Sequence, residues 1–250
     1  GGADDEGAQA TQALLEPLRA LKPIQRNLLV HHGSPMREVV PVSKLGERAG
    51  PIGTEIEWVT IPDGSFDMGS MDGDEDERPV HPVSLREYRI SRYPITNRQY
   101  EAYVRTAKAQ SPTYWDDGKV PEGKEDHPVV NVSWGDAAAY CRWKSEQTGA
   151  VYRLPTEAEW EKAARGTDGR TWPWGDQFDP GKCNTAESRK GGTTPVTEFP
   201  EGRSPYGCYD MAGNVWEWTS SLYKPYPYKP DDGREDPNAE GRRILRGGSW

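Results

Sequence analysis

The sequence predicts a loop-rich fold in which short strands and a few helices surround an aromatic core. Three observations predict it. Only 34% of the 250 residues are hydrophobic, and 27 glycines with 22 prolines commit much of the chain to turns. Against that, 10 tryptophans and 12 tyrosines can each bury a large area while a polar edge finds a partner. Between the turn formers, short segments carry helix caps or strand alternation, so the chain reads as folded.

The elements follow in chain order. Leu14, Leu15, Leu18, Leu21, Ile24, Leu28 and Leu29 recur at three- and four-residue spacing through residues 8–30, with Pro17 and Pro23 interrupting. That spacing predicts one or two short amphipathic helices, able to dock a partner, to end an upstream domain or to fold back on the main domain. His32 to Ile52 is rich in glycine, proline and charge and reads as a linker. Residues 1–54 are thus an N-terminal helical arm and linker, and residues 55–250 the main domain. Glu55 to Ile61 alternates toward strand, and Pro62-Asp63-Gly64 supplies a turn before Phe66 to Met68, which predicts an opening hairpin. Thr96 precedes Gln99, Tyr100, Tyr103 and Val104 as the cap of an amphipathic helix. A second helix is expected from Trp134 to Glu146, capped near Ser133 or Asp136, and Thr156-Glu157-Ala158-Glu159 starts a third with the spacing of a capping box. Thr167 to Tyr209 holds too many turn formers for long regular elements, and no fixed-period repeat is visible.

Charge excludes some functions. A net charge of -9 and a pI near 5.1 argue against nucleic acid, because a backbone binder needs a concentrated positive face. No run of about 18 apolar residues predicts a membrane span. The opening Gly1-Gly2-Ala3-Asp4-Asp5-Glu6 is acidic where a signal peptide is basic, so the expectation is a cytoplasmic protein. Cys141, Cys183 and Cys208 lack metal-finger spacing and read as reduced, partly buried thiols, although Cys183 and Cys208 could pair.

Few local patterns promise chemistry. Asp72 to Glu77 begins like an EF-hand loop but lacks its glycine and closing glutamate, and reads as a solvated acidic loop. His31, His32, His81 and His127 show no zinc-binding spacing. Nucleophile-elbow, phosphate-loop and dinucleotide patterns are missing. Arg92, Arg142, Arg153 and Arg165 are expected to pair with carboxylates, and Trp134, Trp160, Trp172, Trp174, Trp216 and Trp218 to pack in the core. The segment Asp210-Met211-Ala212-Gly213-Asn214-Val215-Trp216-Glu217 is the strongest metal candidate, because Gly213 permits a turn that aims carbonyls and two carboxylates at one point, as a hard cation requires. The alternative is a buried turn in which Asp210 and Glu217 accept backbone amides.

An ordered set of motifs narrows the reading. Glu57 to Ser70 (EWVTIPDGSFDMGS) is followed by Arg78-Pro79-Val80-His81, Tyr93-Pro94-Ile95-Thr96-Asn97-Arg98-Gln99-Tyr100 and His127 to Trp134 (HPVVNVSW). Arg153-Leu154-Pro155-Thr156-Glu157-Ala158-Glu159-Trp160-Glu161, Trp172-Pro173-Trp174-Gly175, Tyr209 to Thr219 (YDMAGNVWEWT) and the terminal Arg246-Gly247-Gly248-Ser249-Trp250 complete it. In this order and spacing they resemble the formylglycine-generating enzyme (sulfatase-modifying factor) domain family over about residues 55 to 250. The resemblance implies an α+β fold, irregular and C-type-lectin-like. It places calcium on Asp210, the carbonyls of Gly213 and Val215, and Glu217. A second calcium would use Asn184 and Thr185 with a downstream aspartate, which the route from Glu187 to Thr194 lacks.

The family's oxidases hold copper with two cysteines that follow the Gly-Gly-Ser segment, and soft thiolates select copper(I). Here the chain stops at Trp250, so the domain is expected to be C-terminally incomplete. Ser249 matches the family's oxygen-site serine and Trp216 a residue near its reacting centre, but Cys141, Cys183 and Cys208 match neither copper cysteine. The favoured reading is a non-catalytic scaffold for a protein or peptide ligand, as in the variable proteins of diversity-generating retroelements, with a variable surface after Trp250. The alternative is a truncated copper-dependent oxidase converting a sulfatase cysteine to formylglycine. A related iron-dependent sulfoxide synthase would need histidines from another domain, for which residues 1–54 are too short.

Overall fold

Among the described residues, each of the three helices begins where its cap requires. The structure, a computed structural model, describes Gln25–Asn27, Val30–His32 and residues 53–250. Helix α1 (Asn97–Ala107) starts at Thr96, whose hydroxyl accepts from the Gln99 amide while the Gln99 side chain accepts from the Thr96 amide. Helix α2 (Trp134–Thr148) makes the same reciprocal pair between Ser133 and Asp136, so Ser133 is the cap and Asp136 its partner three residues on. Helix α3 (Glu157–Arg165) repeats it with Thr156 and Glu159. Two amides that the helix cannot satisfy find acceptors in each case.

Nine short strands form three sheets among the described residues. Strand β1 (Gln25–Asn27) runs parallel to β8 (Trp216–Leu222), which pairs antiparallel with β9 (Arg243–Arg246). A four-stranded sheet has the order β3 (Trp58–Ile61), β6 (Tyr88–Ser91), β2 (Val30–His32), β7 (Val151–Arg153), all antiparallel. Strands β4 (Gly64–Met68) and β5 (His81–Leu85) make a separate pair. From Thr167 to Tyr209 only two short 3-10 turns occur, as the turn formers predict.

Two local expectations change. Gln25–Asn27 and Val30–His32 are strands where the leucine spacing predicts helix, since tertiary pairing overrides a short periodic signal; the rest of the expected arm and linker lies outside the described residues. The opening hairpin also does not form: β3 pairs with β6 and β4 with β5. The reason is Lys162 of α3, whose Nζ donates to the carbonyls of Pro62 and Gly64 at 2.8 and 2.9 Å. The turn is fastened to the helix, and the chain leaves one sheet for the other.

The core is aromatic where two helices meet. Tyr100 and Tyr103 of α1 pack on Tyr140 and Trp143 of α2, with Tyr100 and Tyr140 stacked at 5.4 Å between ring centres. A second cluster joins Val59, Ile61, Tyr88 and Ile90 of the larger sheet to Trp160, Ala163 and Ala164 of α3, with Cys208 and Met211 filling its edge. Phe66, Met68, Val83, Ala158 and Tyr228 make a third. His81 is structural, accepting from the Tyr228 amide at Nε2 (2.7 Å) while Nδ1 meets the Pro79 carbonyl. No helix of the described residues is long and apolar enough to cross a membrane.

Candidate functional site

Helix α3 carries four buried charged residues, and the fold gives each a partner. Glu159 receives a fork of two hydrogen bonds from Arg153 at 2.6 and 2.8 Å, and Lys162 takes the two carbonyls already described. Glu157, Glu161 and Arg165, spaced by four, lie on one face. Glu161 accepts from the Gly69 amide at 2.7 Å and from Arg165 Nη1 at 3.0 Å, and also from Arg246 Nη2. Arg246 Nε lies 3.6 Å from Glu157, whose other contact is the Tyr226 hydroxyl at 3.1 Å.

Glu161, Arg165 and Arg246 floor a cavity of about 380 Å³, and Glu157 lies behind Arg246. Its rim carries Gly69, Ser70, Asp72, Gly73 and Glu77 from the acidic loop, Trp172 and Pro173 from the turn-rich segment, and Tyr226 and Gly247. Gly69 is required where it stands: at φ +99°, a side chain there would meet the Glu77 carbonyl at 2.6 Å and the Tyr226 ring at 3.3 Å. The loop Asp72–Glu77 is mostly exposed, as expected, but its last residue is half-buried and faces the cavity.

Burial and charge oppose each other here. Burial alone would lower the Arg246 pKa, yet Glu161, Tyr226 and Glu157 outweigh it and hold the guanidinium above its ordinary range. Glu157 behaves differently: burial raises its pKa and Arg246 only partly offsets that, because Arg246 makes its closer contact with Glu161. Burial likewise raises Glu77, with Arg246 again opposing.

The Asp210–Glu217 turn forms a second polar centre, held by neutral amides. Asp210, Gly213 and Asn214 all have positive φ, and a side chain on Gly213 would strike the Asn184 carbonyl at 2.6 Å. The Asn214 amide makes four hydrogen bonds: its nitrogen donates to Asp210 Oδ2 (2.8 Å) and the Thr194 carbonyl (3.2 Å), and its oxygen accepts from Asn184 Nδ2 and the Thr194 amide (both 3.0 Å). Glu217, fully buried on β8, accepts from Trp160 Nε1 at 2.8 Å. The Gly213 amide donates to the Gly247 carbonyl at 2.6 Å, tying the turn to the segment beside the cavity.

The predicted residues separate in space. Asp210, Gly213, Val215 and Glu217 share this turn. Asn184 and Thr185 lie against it, but the Asn184 carbonyl accepts from the Asn214 amide, Asn184 Oδ1 from Ser188 and the Thr185 carbonyl also from Ser188. Trp216 and Ser249 are half-buried, and neither lines the cavity, whereas Arg246 and Gly247 of the same terminal motif do. Cys183 and Cys208 do not pair; all three thiols are free and buried. Cys208 sits in the core cluster against α3 while Cys183 approaches the Asp179 carbonyl, which keeps the two apart in packing. Burial pushes Cys208 up to about 12 and Cys183 to about 11, and raises Cys141 further. Arg92, Arg153 and Arg165 pair with Glu57, Glu159 and Glu161, as the composition suggests. The residues that sequence reasoning missed are Glu77, Glu161, Tyr226, Arg246 and Asn214. The four-residue spacing of Glu157, Glu161 and Arg165 was the one signal available for the cavity floor.

The model of the sulfatase-modifying factor enzyme 1-like domain matches residues 48–250. A Bos taurus protein named inactive C-alpha-formylglycine-generating enzyme 2 is 33% identical over 252 residues, covering 79% of this chain and 77% of its own. The formylglycine-generating enzyme of Streptomyces coelicolor is 34% identical over 253 residues, covering 77% and 78%. Treponema denticola variable protein 1 superposes with a TM-score of 0.60 at 25% identity, covering 77% of this chain and 83% of that one. The loop-rich α+β architecture and the ordered motifs agree with these matches, and the chain belongs to the sulfatase-modifying factor enzyme 1-like domain family.

Proposed function

We propose that residues 53–250 act as a non-catalytic scaffold that binds a protein or peptide ligand. The observation that carries this reading is the charge network beside α3, where Glu161, Arg165 and Arg246 are tied to one another and do not stand ready for proton transfer. Copper(I) chemistry of the family's oxidases needs paired thiolates, and Cys141, Cys183 and Cys208 do not supply such a pair. Each is buried, each is held protonated by desolvation, and they sit in three different packing environments. A relative whose name calls it inactive supports the reading, and the likeness to a variable protein supports a surface that displays ligand contacts. Unpaired thiols suit a reducing compartment, which supports a cytoplasmic setting.

Calcium belongs to the same reading. Asp210, Glu217 and the carbonyls of Gly213 and Val215 are oxygen donors within one short segment, the kind that a hard cation takes. Among the described residues no three His, Cys, Asp or Glu side chains gather, so a cation here would depend on those carbonyls. Its contribution would be structural, fixing the turn that carries Gly213 and through it Gly247. The oxygens of Asn184 and the Thr185 carbonyl already have protein donors, and no second cation is proposed.

The test is to incubate the protein with copper(I), oxygen and a cysteine-bearing sulfatase peptide and to follow the peptide by mass. The expected result is unchanged peptide and no thiolate–copper absorption. Conversion of the cysteine to formylglycine would overturn the scaffold reading in favour of an oxidase.

A further inference from the structure

The Trp172–Gly175 turn sets two indoles side by side. Trp172 and Gly175 exchange both backbone hydrogen bonds, at 2.8 and 3.0 Å, and Gly175 takes φ +140° to close the turn. Trp172 and Trp174, two residues apart, stack with ring centres 5.8 Å apart and planes 12° apart. Phe178 packs on Trp172 at 5.1 Å and stays 40% exposed, so part of this aromatic group is open to solvent. Trp172 lines the cavity beside α3. Trp174 and Phe178 line a separate one of about 330 Å³, formed by residues 174–180 and Lys182, which is large enough for a small ligand.

The chemistry of this second cavity narrows its occupant. Trp174 Nε1 already donates to the Gln177 carbonyl at 2.9 Å, so the indole offers its face and not its edge. A proline-rich peptide is disfavoured, because the donor that an aromatic groove would give its carbonyls is spent. A cation is disfavoured as well. Asp179 is answered by the Gly181 amide at 2.9 Å and by Lys182 Nζ at 3.7 Å, and Lys182 brings its own positive charge to the lining. Asp176, which accepts from the Thr171 amide with one oxygen at 3.3 Å, joins Gln177 and Lys182 in supplying both acceptors and donors. An aromatic face of negative potential beside such groups fits a ring with polarised C–H bonds on one face and hydroxyls around its edge.

We propose that this cavity binds a pyranose unit of a sugar, stacked on Trp174 and held at its hydroxyls by Asp176, Gln177 and Lys182. The stack on Trp172 and the bond to Gln177 fix the indole before the sugar arrives, so little side-chain freedom is lost on binding. This binding goes beyond the scaffold reading and does not depend on it.

The test titrates the protein with the methyl glycosides of glucose, galactose and mannose, with a β-linked glucose trisaccharide, and with sorbitol, which has the hydroxyls but no ring. Calorimetry gives the affinity and the Trp174 indole NMR signal the location. At least one glycoside is expected to bind with a dissociation constant of about 1 mM, and sorbitol about tenfold more weakly. A trisaccharide about tenfold tighter than its glycoside assigns a glycan as the source, and equal affinity assigns a free sugar. Trp174→Leu should abolish binding, and Gln177→Ala should weaken it by about threefold. Circular dichroism confirms that each variant is folded, and if Trp174→Leu is not, Gln177→Ala and the sorbitol contrast decide. Sorbitol binding as tightly as the glycosides, no Trp174 shift with any sugar at about 50 mM, or affinity unchanged in the variants would overturn the proposal. So would a Trp174 shift given by N-acetyl-arginine amide or by acetylated hexaproline and not by the sugars, which would assign the cavity to a cation or to a proline-rich peptide.

Discussion

The cavity floor and the Asp210–Glu217 turn bury acids in opposite ways. On the floor, Glu157 and Glu161 face Arg165 and Arg246, and charge answers charge. In the turn, Asp210 and Glu217 are met by the neutral amide of Asn214 and the indole of Trp160. A paired floor is complete without any ion, but its stability depends on every member, because removing one partner strands a buried charge. An amide-lined, oxygen-rich turn is suited to respond to a cation. The two regions meet at Gly247, whose carbonyl accepts from the Gly213 amide and whose backbone lines the cavity.

The sharpest way to break this contrast is Arg246→Met. It leaves Glu161 with Arg165 alone and Glu157 with only the Tyr226 hydroxyl, and urea unfolding should show a loss of about 3–5 kcal/mol. A loss near zero would mean that the floor is solvated and not a buried ion-pair network. Asn214→Leu is the matching change in the turn. It strands Asp210, Thr194 and Asn184 groups together, and about 2–3 kcal/mol should be lost by the same measurement.

Calcium sharpens the comparison next. At a hundredfold excess over its dissociation constant, a cation held by the turn would stabilise the fold by about 2.7 kcal/mol. Asp210→Asn should lose that increment and Arg246→Met should keep it, with chelator reversing the effect in the unaltered protein. An identical calcium response in Asp210→Asn would remove the cation from the turn.

The smallest expected effect is a pH slope specific to the floor. The folded-state pKa values of Glu157 and Glu77 are raised by burial above their unfolded values. From the ordinary carboxylate range up through those raised values, the folded state therefore binds more protons than the unfolded state, and stability falls as pH rises. Glu157→Gln should flatten that slope in melting temperatures taken across mildly acidic pH. A slope of the opposite sign, or one unchanged by the substitution, would show that Arg246 governs Glu157 more strongly than burial does.

How much of this was legible in the sequence varies by region. The three capping boxes were, because Thr96, Ser133 and Thr156 each satisfy amides within three residues and need nothing distant. The aromatic core was also legible in outline, from the abundance of tyrosine and tryptophan. The hairpin was misread because Lys162, about a hundred residues away in sequence, fixes the turn at Pro62. The cavity was missed because its members come from the acidic loop, α3, the Trp172 turn and β9, and each segment has an ordinary local explanation. Glu77 ends what reads as a solvated acidic run, and Arg246 opens a motif whose Ser249 drew attention instead.

The sequence alone determined the family, the helix starts and the oxygen-rich composition of the Asp210–Glu217 turn, since these depend on motif order and on contacts within a few residues. Only the tertiary structure decided which carboxylates are paired. Desolvation and Coulomb attraction depend on distance and on neighbours from remote segments, so Glu161 became a fixed member of an ion-pair network while Glu77, at the end of the acidic loop, became half-buried at the cavity rim.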